Sequence, residues 1–229
     1  MKYGISSLKF WSRQCLTWLG IAAAAALFMM LLQGMGEEMP AVSSLDTFLI
    51  VMPFYLITVG AFCVLILGAS TFQTTFAALV SMNVTRKAVT AGIILTQAAF
   101  IGCILAVSAG MWGAGQMISG ESDTMLSLLP LFAAVCFGLA AIGTVIGIIF
   151  LRWGKAGVIA LVIICGVFGS IVGAGYAASD GELFAGMQKI MLEDLAGNNF
   201  WPLTAVSVTV FAAVAVFALI AARKVEVRV

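Results

Sequence analysis

The chain has 229 residues, 63% hydrophobic and only 9% charged, with a formal net charge of +1 and no histidine. Soluble domains carry roughly 25% charged residues, so this composition excludes a water-soluble fold, and the balanced, unclustered charge excludes a nucleic-acid surface. The missing histidine removes the usual general base and the commonest zinc ligand, and with them Ser-His dyads and HExxH metalloprotease chemistry.

Six apolar runs reach the roughly 20 residues that a helix needs to cross a bilayer. They lie at 14–33, 47–69, 88–112, 125–151, 157–178 and 201–222. The reading is an all-α integral membrane protein with six transmembrane helices in one domain over 1–229. What remains is loops too short for a separate soluble module. The first run follows a basic stretch but is span-length and lacks a small-x-small exit before Gly34–Glu38, so it reads as a retained helix and not a cleaved signal.

Ahead of the first run, Ile5, Leu8, Phe10, Trp11 and Trp18 sit among Lys2, Lys9 and Arg13. That mixture suits an amphipathic segment on the inner membrane surface, anchored by indoles and basic heads, and equally a basic tail that only sets orientation.

Between runs two and three, Ser70–Lys87 reads STFQTTFAALVSMNVTRK. Phe72, Phe76, Leu79, Val80 and Asn83 share a helical face, while Gln73, Thr74 and Ser81 lie elsewhere around it. The spacing predicts a short helix at the inner surface, capped by Ser70 or Thr71, with Arg86 and Lys87 set against headgroups before run three. An ordinary interfacial linker helix has the same pattern.

Run four contains Gly143 and Gly147, and run five Gly169 and Gly173. Each pair is a GxxxG spacing that lets helices approach closely, inside one bundle or between subunits. Between runs five and six, Leu183, Met187, Ile190 and Met191 line one face of a helical stretch whose other face carries Glu182, Lys189 and Glu193, with Gly197 placed to close it. This predicts an external amphipathic segment, too polar to span.

Charge fixes the sidedness. Ten of the eleven Lys and Arg residues fall at the chain ends or in alternate loops, and nine of the ten acids fall in the other loops, with Lys189 and Glu226 as the exceptions. Short basic loops stay cytoplasmic on insertion, so both termini are read as cytoplasmic. No charge lies near the middle of a run, which removes the usual ion-coupling group of a secondary transporter. Gly154-Lys155 is followed by Ala156 and lacks the upstream glycine of a phosphate-binding loop, so energy for any uphill transport must come from another subunit. Cys15, Cys63, Cys103, Cys136 and Cys165 each sit in a different run, an odd count without a CxxC pair, and read as small hydrophobes. Tyr55, Thr58, Gln97, Thr144 and Tyr176 are the scattered uncharged polar groups that would line a path or bridge helices.

The ending SMNVTRKAV, Ser81–Val89, resembles the close of the coupling helix in the membrane subunits of ABC-2-type ABC transporters, where a Gly or Asn, one or two residues, and Arg-Lys end the loop after the second span. The leading amphipathic segment, the six spans with cytoplasmic ends and the enlarged external segment match across essentially the whole chain. The resemblance implies a permease subunit in a bacterial cell membrane, with the leading segment as an elbow along the inner leaflet and the external segment roofing the path. It implies that Phe72, Phe76, Leu79, Met82, Asn83, Arg86 and Lys87 meet a separate cytoplasmic ABC ATPase, which binds the ATP and Mg. This chain would then hold no cofactor, no metal and no catalytic residue, and would not be an enzyme. Gly169 and Gly173, with Ala22–Ala26, would lie near a seam with a second permease subunit, identical or related.

A path rich in Phe and Met suits a hydrophobic or amphiphilic substrate, and the lack of a large external domain leans toward export. A membrane-embedded substrate-binding subunit of an uptake complex, and a membrane immunity or regulatory protein, remain open as alternatives.

Overall fold

The computed structural model of the chain describes residues 2–34, 45–81, 84–119, 124–178 and 200–222. Among the described residues no strand occurs. The helices are α1 (Lys2–Gly34), α2 (Leu45–Ser81), α3 (Arg86–Ser119), α4 (Leu129–Ala178) and α5 (Trp201–Ala221), with a 3₁₀ turn at Thr124–Leu128 ahead of α4. Five stretches are long and apolar enough to cross a membrane: Lys9–Leu32, Phe48–Val80, Arg86–Ile118, Leu126–Gly154 and Trp201–Ala221. The run expected at 157–178 is also helical and forms the limb of α4 beyond Gly154. Termini 223–229 and the expected external helix, with Leu183, Met187, Ile190 and Met191, lie outside the described residues.

Two expected boundaries are absent. The leading segment is not a separate elbow: α1 runs unbroken from Lys2 to Gly34. Nor is there a separate helix after the second span, because α2 continues through Ser81 for 37 residues, roughly 55 Å at 1.5 Å per residue. The reason is local. No proline falls between Phe54 and Ser81, and the hydroxyls of Thr71 and Thr74 donate to the carbonyls of Leu67 (2.6 Å) and Ser70 (2.9 Å). Bonded back to their own helix, they offer the backbone no competing turn.

Helix α2 is the centre of the bundle, packing most extensively on α4 and α3, while α1 leans on α2 and α3, and α5 on α4. Its crossing with α4 is a backbone contact. A Cβ on Gly143 would strike the Leu65 carbonyl, with Leu65 Cα only 3.0 Å away, and one on Gly147 would lie 2.9 Å from the Gly68 carbonyl. A Cβ on Gly68 would in turn lie 2.9 Å from the Gly143 backbone. The Gly143/Gly147 spacing is therefore spent inside the chain. Lipid supplies no hydrophobic drive between helices, so such close van der Waals approach is what holds them together. Ala22 and Ala26 of α1 are also fully buried within the chain.

Near the far end of α2, Pro53 interrupts the backbone ladder. Its missing N–H frees the Leu49 carbonyl four residues earlier, and one residue on, the indole Nε1 of Trp112 in α3 donates to the Ile50 carbonyl at 2.9 Å, tying α3 to α2 beside the interruption. Phe132 lies against both Trp112 (5.8 Å between ring centroids) and Phe54 (5.9 Å).

At Gly154 the backbone takes φ 62, ψ −148, a conformation that breaks the helix and favours glycine. A Cβ on Gly157 would then sit 3.1 Å from Ile149 Cγ2 and 3.2 Å from the Ile149 carbonyl. Residues eight apart along an intact helix are separated by about 12 Å, so the chain turns back sharply here. Helix α5 returns beside the first limb of α4 and parallel to it. Thr204 Oγ1 donates to the Pro130 carbonyl (2.6 Å) at one end, Phe211 meets Phe137 (5.5 Å) midway, and Ala218 and Ala222 join Ile148 at the other.

Replacing Gly143 with Leu forces a side chain into the α2 backbone and is expected to destabilise the bundle by about 1–3 kcal/mol, the usual range for overpacking. The check is reversible unfolding in detergent, with Gly138→Leu, which has open space around its Cα, as the control expected to leave stability almost unchanged.

Candidate functional site

Five helix ends meet at one end of the bundle, and three of the helices, α1, α3 and α4, carry basic residues there. Helices α1 and α3 start there and α2, the first limb of α4 and α5 end there, which gathers Lys9, Arg13, Arg86, Lys87 and Arg152 around one apolar cluster. The cluster has Phe72, Phe76, Val89, Ile93, Ile148, Ala218 and Ala222 at its centre. Leu79, Val80, Val84, Leu151 and Trp11 pack around it.

Phe72 and Phe76 are both 0% exposed, their rings 6.2 Å apart and tilted 30°. The amphipathic pattern read from the sequence is real, since Gln73 and Thr74 are exposed and the two Phe residues are not. Its apolar face, however, points into the chain's own bundle. As a surface offered to an ATPase, Phe72 and Phe76 are covered. Leu79 is half-buried, Arg86 is half-buried and makes a contact of its own, and Lys87 is exposed. Met82 and Asn83 lie outside the described residues.

The link between α2 and α3 is short. Val84 N donates to the Leu79 carbonyl (3.2 Å), a six-residue closure of the type that satisfies the last carbonyls of a helix. Helix α3 begins two residues later, its first turn fixed by Val89 N to the Thr85 carbonyl (3.1 Å) and by Thr90 Oγ1 to the Arg86 carbonyl (2.9 Å). The result is a helical hairpin whose base is locked by aromatic packing.

The sequence suits Trp11 to a headgroup anchor, or to a basic tail that only sets orientation. Instead it packs across α3: a Cβ on Gly92 would fall on the Trp11 indole, at 2.7 Å from its Cζ2. Gly92 is thus the notch that seats α1 on α3, and an isolated glycine facing a bulky aromatic was the signal available. Gln14, one turn further on, donates from Nε2 to Thr71 Oγ1 (3.4 Å). Ala218 and Ala222, unremarked in the sequence, close the cluster because their small side chains let α5 approach it.

Around this core the rim is cationic. Lys9, Arg13, Lys87 and Arg152 are exposed, and the Arg152 guanidinium lies 5.3 Å from the centre of the Trp153 ring. Among the described residues no three His, Cys, Asp or Glu side chains come together as a metal would require. Gly169 and Gly173 are helical, in the second limb of α4, but their packing lies outside the described residues.

The polar residues inside the spans mostly bridge or satisfy themselves. Thr58 Oγ1 donates to the Phe54 carbonyl (2.8 Å), and Thr144 Oγ1 lies 2.8 Å from the Ala140 carbonyl and 3.0 Å from Gln97 Oε1. Scanned against protein-family models the chain matches none, and searches of curated proteins and of solved structures likewise return no significant match.

Burial makes Phe76 a packing residue. Phe76→Ala is expected to cost about 3 kcal/mol, the lower part of the range for a buried Phe, because little hydrophobic transfer is regained in lipid. Gln73→Ala is expected to fall within about 0.5 kcal/mol of the parent, as exposed positions do. Paired unfolding curves of the two variants read the difference.

Proposed function

We propose that this chain is the permease subunit of an ATP-driven, ABC-2-type transporter, exporting a hydrophobic or amphiphilic substrate and driven by a separate cytoplasmic ATPase. The observation that carries the reading is the α2–α3 hairpin at the basic end of the bundle. Helix α2 continues through Ser81, past the end of the second apolar run at residue 69, and its end is locked through Phe72 and Phe76 to α3, α4 and α5. A force applied to the hairpin tip is therefore delivered to most of the bundle at once. No charged side chain of this chain occupies the middle of a span, so the work must come from outside it.

The proposed contact differs from a simple surface helix. With Phe72 and Phe76 covered, the ATPase would meet the tip, around Met82, Asn83 and Lys87, and the exposed strip of Gln73 and Thr74. Phe72 and Phe76 would transmit the motion and not touch the partner. Two copies, or two related chains, would enclose the path, and ATP-driven closure of the ATPase pair would change the side to which it opens.

The membrane topology proposed is six spans with both termini in the cytoplasm of a bacterial cell. Two facts support it: the reversal at Gly154, and the parallel course of α5 and the first limb of α4, which is what a return crossing between them would produce. At 24 residues, 155–178 is a helical limb of about 36 Å, enough for that crossing. The gathering of basic side chains at one end supports the orientation.

In a variant with all five cysteines replaced, single cysteines at 87 and 152 are expected to react with an impermeant maleimide only from the cytoplasmic side, and one at 201 only from outside. Affinity purification in mild detergent is expected to bring down a Walker-motif ATPase, and charge reversal at Lys87 to weaken its retention. Labelling of position 87 from outside would overturn the orientation. A chain that purifies without an ATPase yet binds a small molecule tightly by itself would fit the capture subunit of an uptake complex instead.

A further inference from the structure

Helix α1 has two distinct sides. Trp11 lies over Gly92 of α3, Gln14 reaches Thr71 of α2, and Ala22 and Ala26 are fully buried, so this side is turned into the bundle. The opposite side carries Lys9, Arg13, Leu16, Gly20, Ala24 and Leu27 at steps of three and four residues, and each of them is exposed. That strip is charged only at the basic end of the bundle.

Lys9 and Arg13 stand one turn apart on the strip, where like charges repel. Among the described residues the one acid is Asp46, at the opposite end of α2, so no carboxylate relieves them there. The neighbouring hydroxyls are already used, Ser12 Oγ donating to the Lys9 carbonyl (3.0 Å) and Thr17 Oγ1 to the Arg13 carbonyl (2.9 Å). The ammonium and the guanidinium are left as the donors, and one phosphodiester between them supplies the missing negative charge while accepting from both. Arg152 differs, because its guanidinium already lies over the Trp153 ring at 5.3 Å.

Past Arg13 the strip turns apolar at once. Leu16 is 68% exposed, and Gly20 leaves a shallow dent, since even a Cβ there would meet nothing within 4 Å. From Arg13 to Ala24 the helix covers about 16 Å at 1.5 Å per residue, one leaflet of a roughly 30 Å hydrocarbon core. A soluble protein cannot follow such a strip into the membrane, and a free anion gains nothing from its apolar part. A lipid matches both.

We propose that the outer side of α1 binds an anionic phospholipid of the leaflet at the basic end, its phosphodiester held between Lys9 and Arg13 and one acyl chain laid along Leu16, Gly20 and Ala24. Zwitterionic lipid fits less well, because its own cationic group is brought up to two cations. The site is independent of any ATPase and of the transported substrate.

Native mass spectrometry of the full-length chain, purified in mild detergent with equal amounts of phosphatidylglycerol and phosphatidylcholine, reads the preference directly. The parent is expected to retain phosphatidylglycerol, and Lys9→Gln and Arg13→Gln each to lower its retention relative to phosphatidylcholine about fivefold. Arg152→Gln, which removes a cation from the same end, is expected to keep the parent's preference. A photoactivatable amino acid at position 16 is expected to cross-link phosphatidylglycerol, and millimolar inorganic phosphate to leave that product intact. If Arg13→Gln does not fold, Lys9→Gln carries the comparison, with Lys9→Arg expected to retain the lipid. Equal retention of the two lipids by the parent, an equal loss in Arg152→Gln, displacement by phosphate alone, or cross-linking of position 16 to a second copy of the chain would each overturn the proposal.

Discussion

Everything in this bundle depends on how closely α2 can approach α4. Helices in lipid gain nothing from hiding apolar surface from water, so association rests on atoms in contact. At Gly68, Gly143 and Gly147 there are no side chains to hold the backbones apart. Phe72 can lie flat over Gly147 only because of that proximity, and a Cβ on Gly147 would sit 2.7 Å from its ring. Phe76, Ile148 and the end of α5 then assemble on Phe72. The arrangement of the basic end is thus a consequence of glycines that carry no charge themselves and lie one or more helical turns away from the charges it displays.

Polar chemistry inside the bundle follows the same economy. Threonines in α1 to α5 bond back to carbonyls four residues earlier, Thr17, Thr58, Thr71, Thr74, Thr90, Thr96, Thr144 and Thr209 among them. A hydroxyl satisfied by its own helix tolerates lipid or protein equally, so Thr58 is exposed while Thr90 and Thr144 are fully buried. Such residues do not by themselves mark a path for cargo. Glutamines differ, because a carboxamide has more hydrogen-bonding capacity than one helix can absorb, and they are where helices become linked.

Much of the fold was legible. Length and hydropathy located the five long helices among the described residues, since runs of about 20 apolar residues have few other stable forms in a chain this poor in charge. The alternation of basic loops anticipated that Lys9, Arg13, Arg86, Lys87 and Arg152 would share one end of the bundle. The sequence did not reveal where helices would fail to stop. Ser70 and Thr71 are good caps when their side chains reach forward, but here Thr71 reaches back to Leu67, and the helix runs on. The face carrying Phe72 and Phe76 was correctly separated from Gln73 and Thr74, yet periodicity says only that a face is apolar. Whether it meets lipid, a partner or the rest of its own chain depends on contacts such as Ile148 and Ala218, distant in sequence. Trp11 is the same case: an indole beside Lys9 and Arg13 reads as a membrane anchor until Gly92 is found beneath it.

An unbroken α2 changes how a push at its tip would travel. Under the proposed coupling, a separate surface helix would slide over the inner leaflet and pass on only what its flexible ends allowed. A continuous helix instead pivots. Its narrowest contact is the Gly68 crossing, about 20 Å from Ser81 and about 35 Å from Leu45 at 1.5 Å per residue. Displacement at the hairpin would therefore be magnified at the far end. There Pro53 loosens the backbone ladder, and Trp112 and Phe132 fill the space between α2, α3 and α4. Close-packed interfaces shift between discrete arrangements and do not deform continuously, so the aromatic group around Trp112 is the place where tilting of α2 would be converted into opening or closing of the bundle.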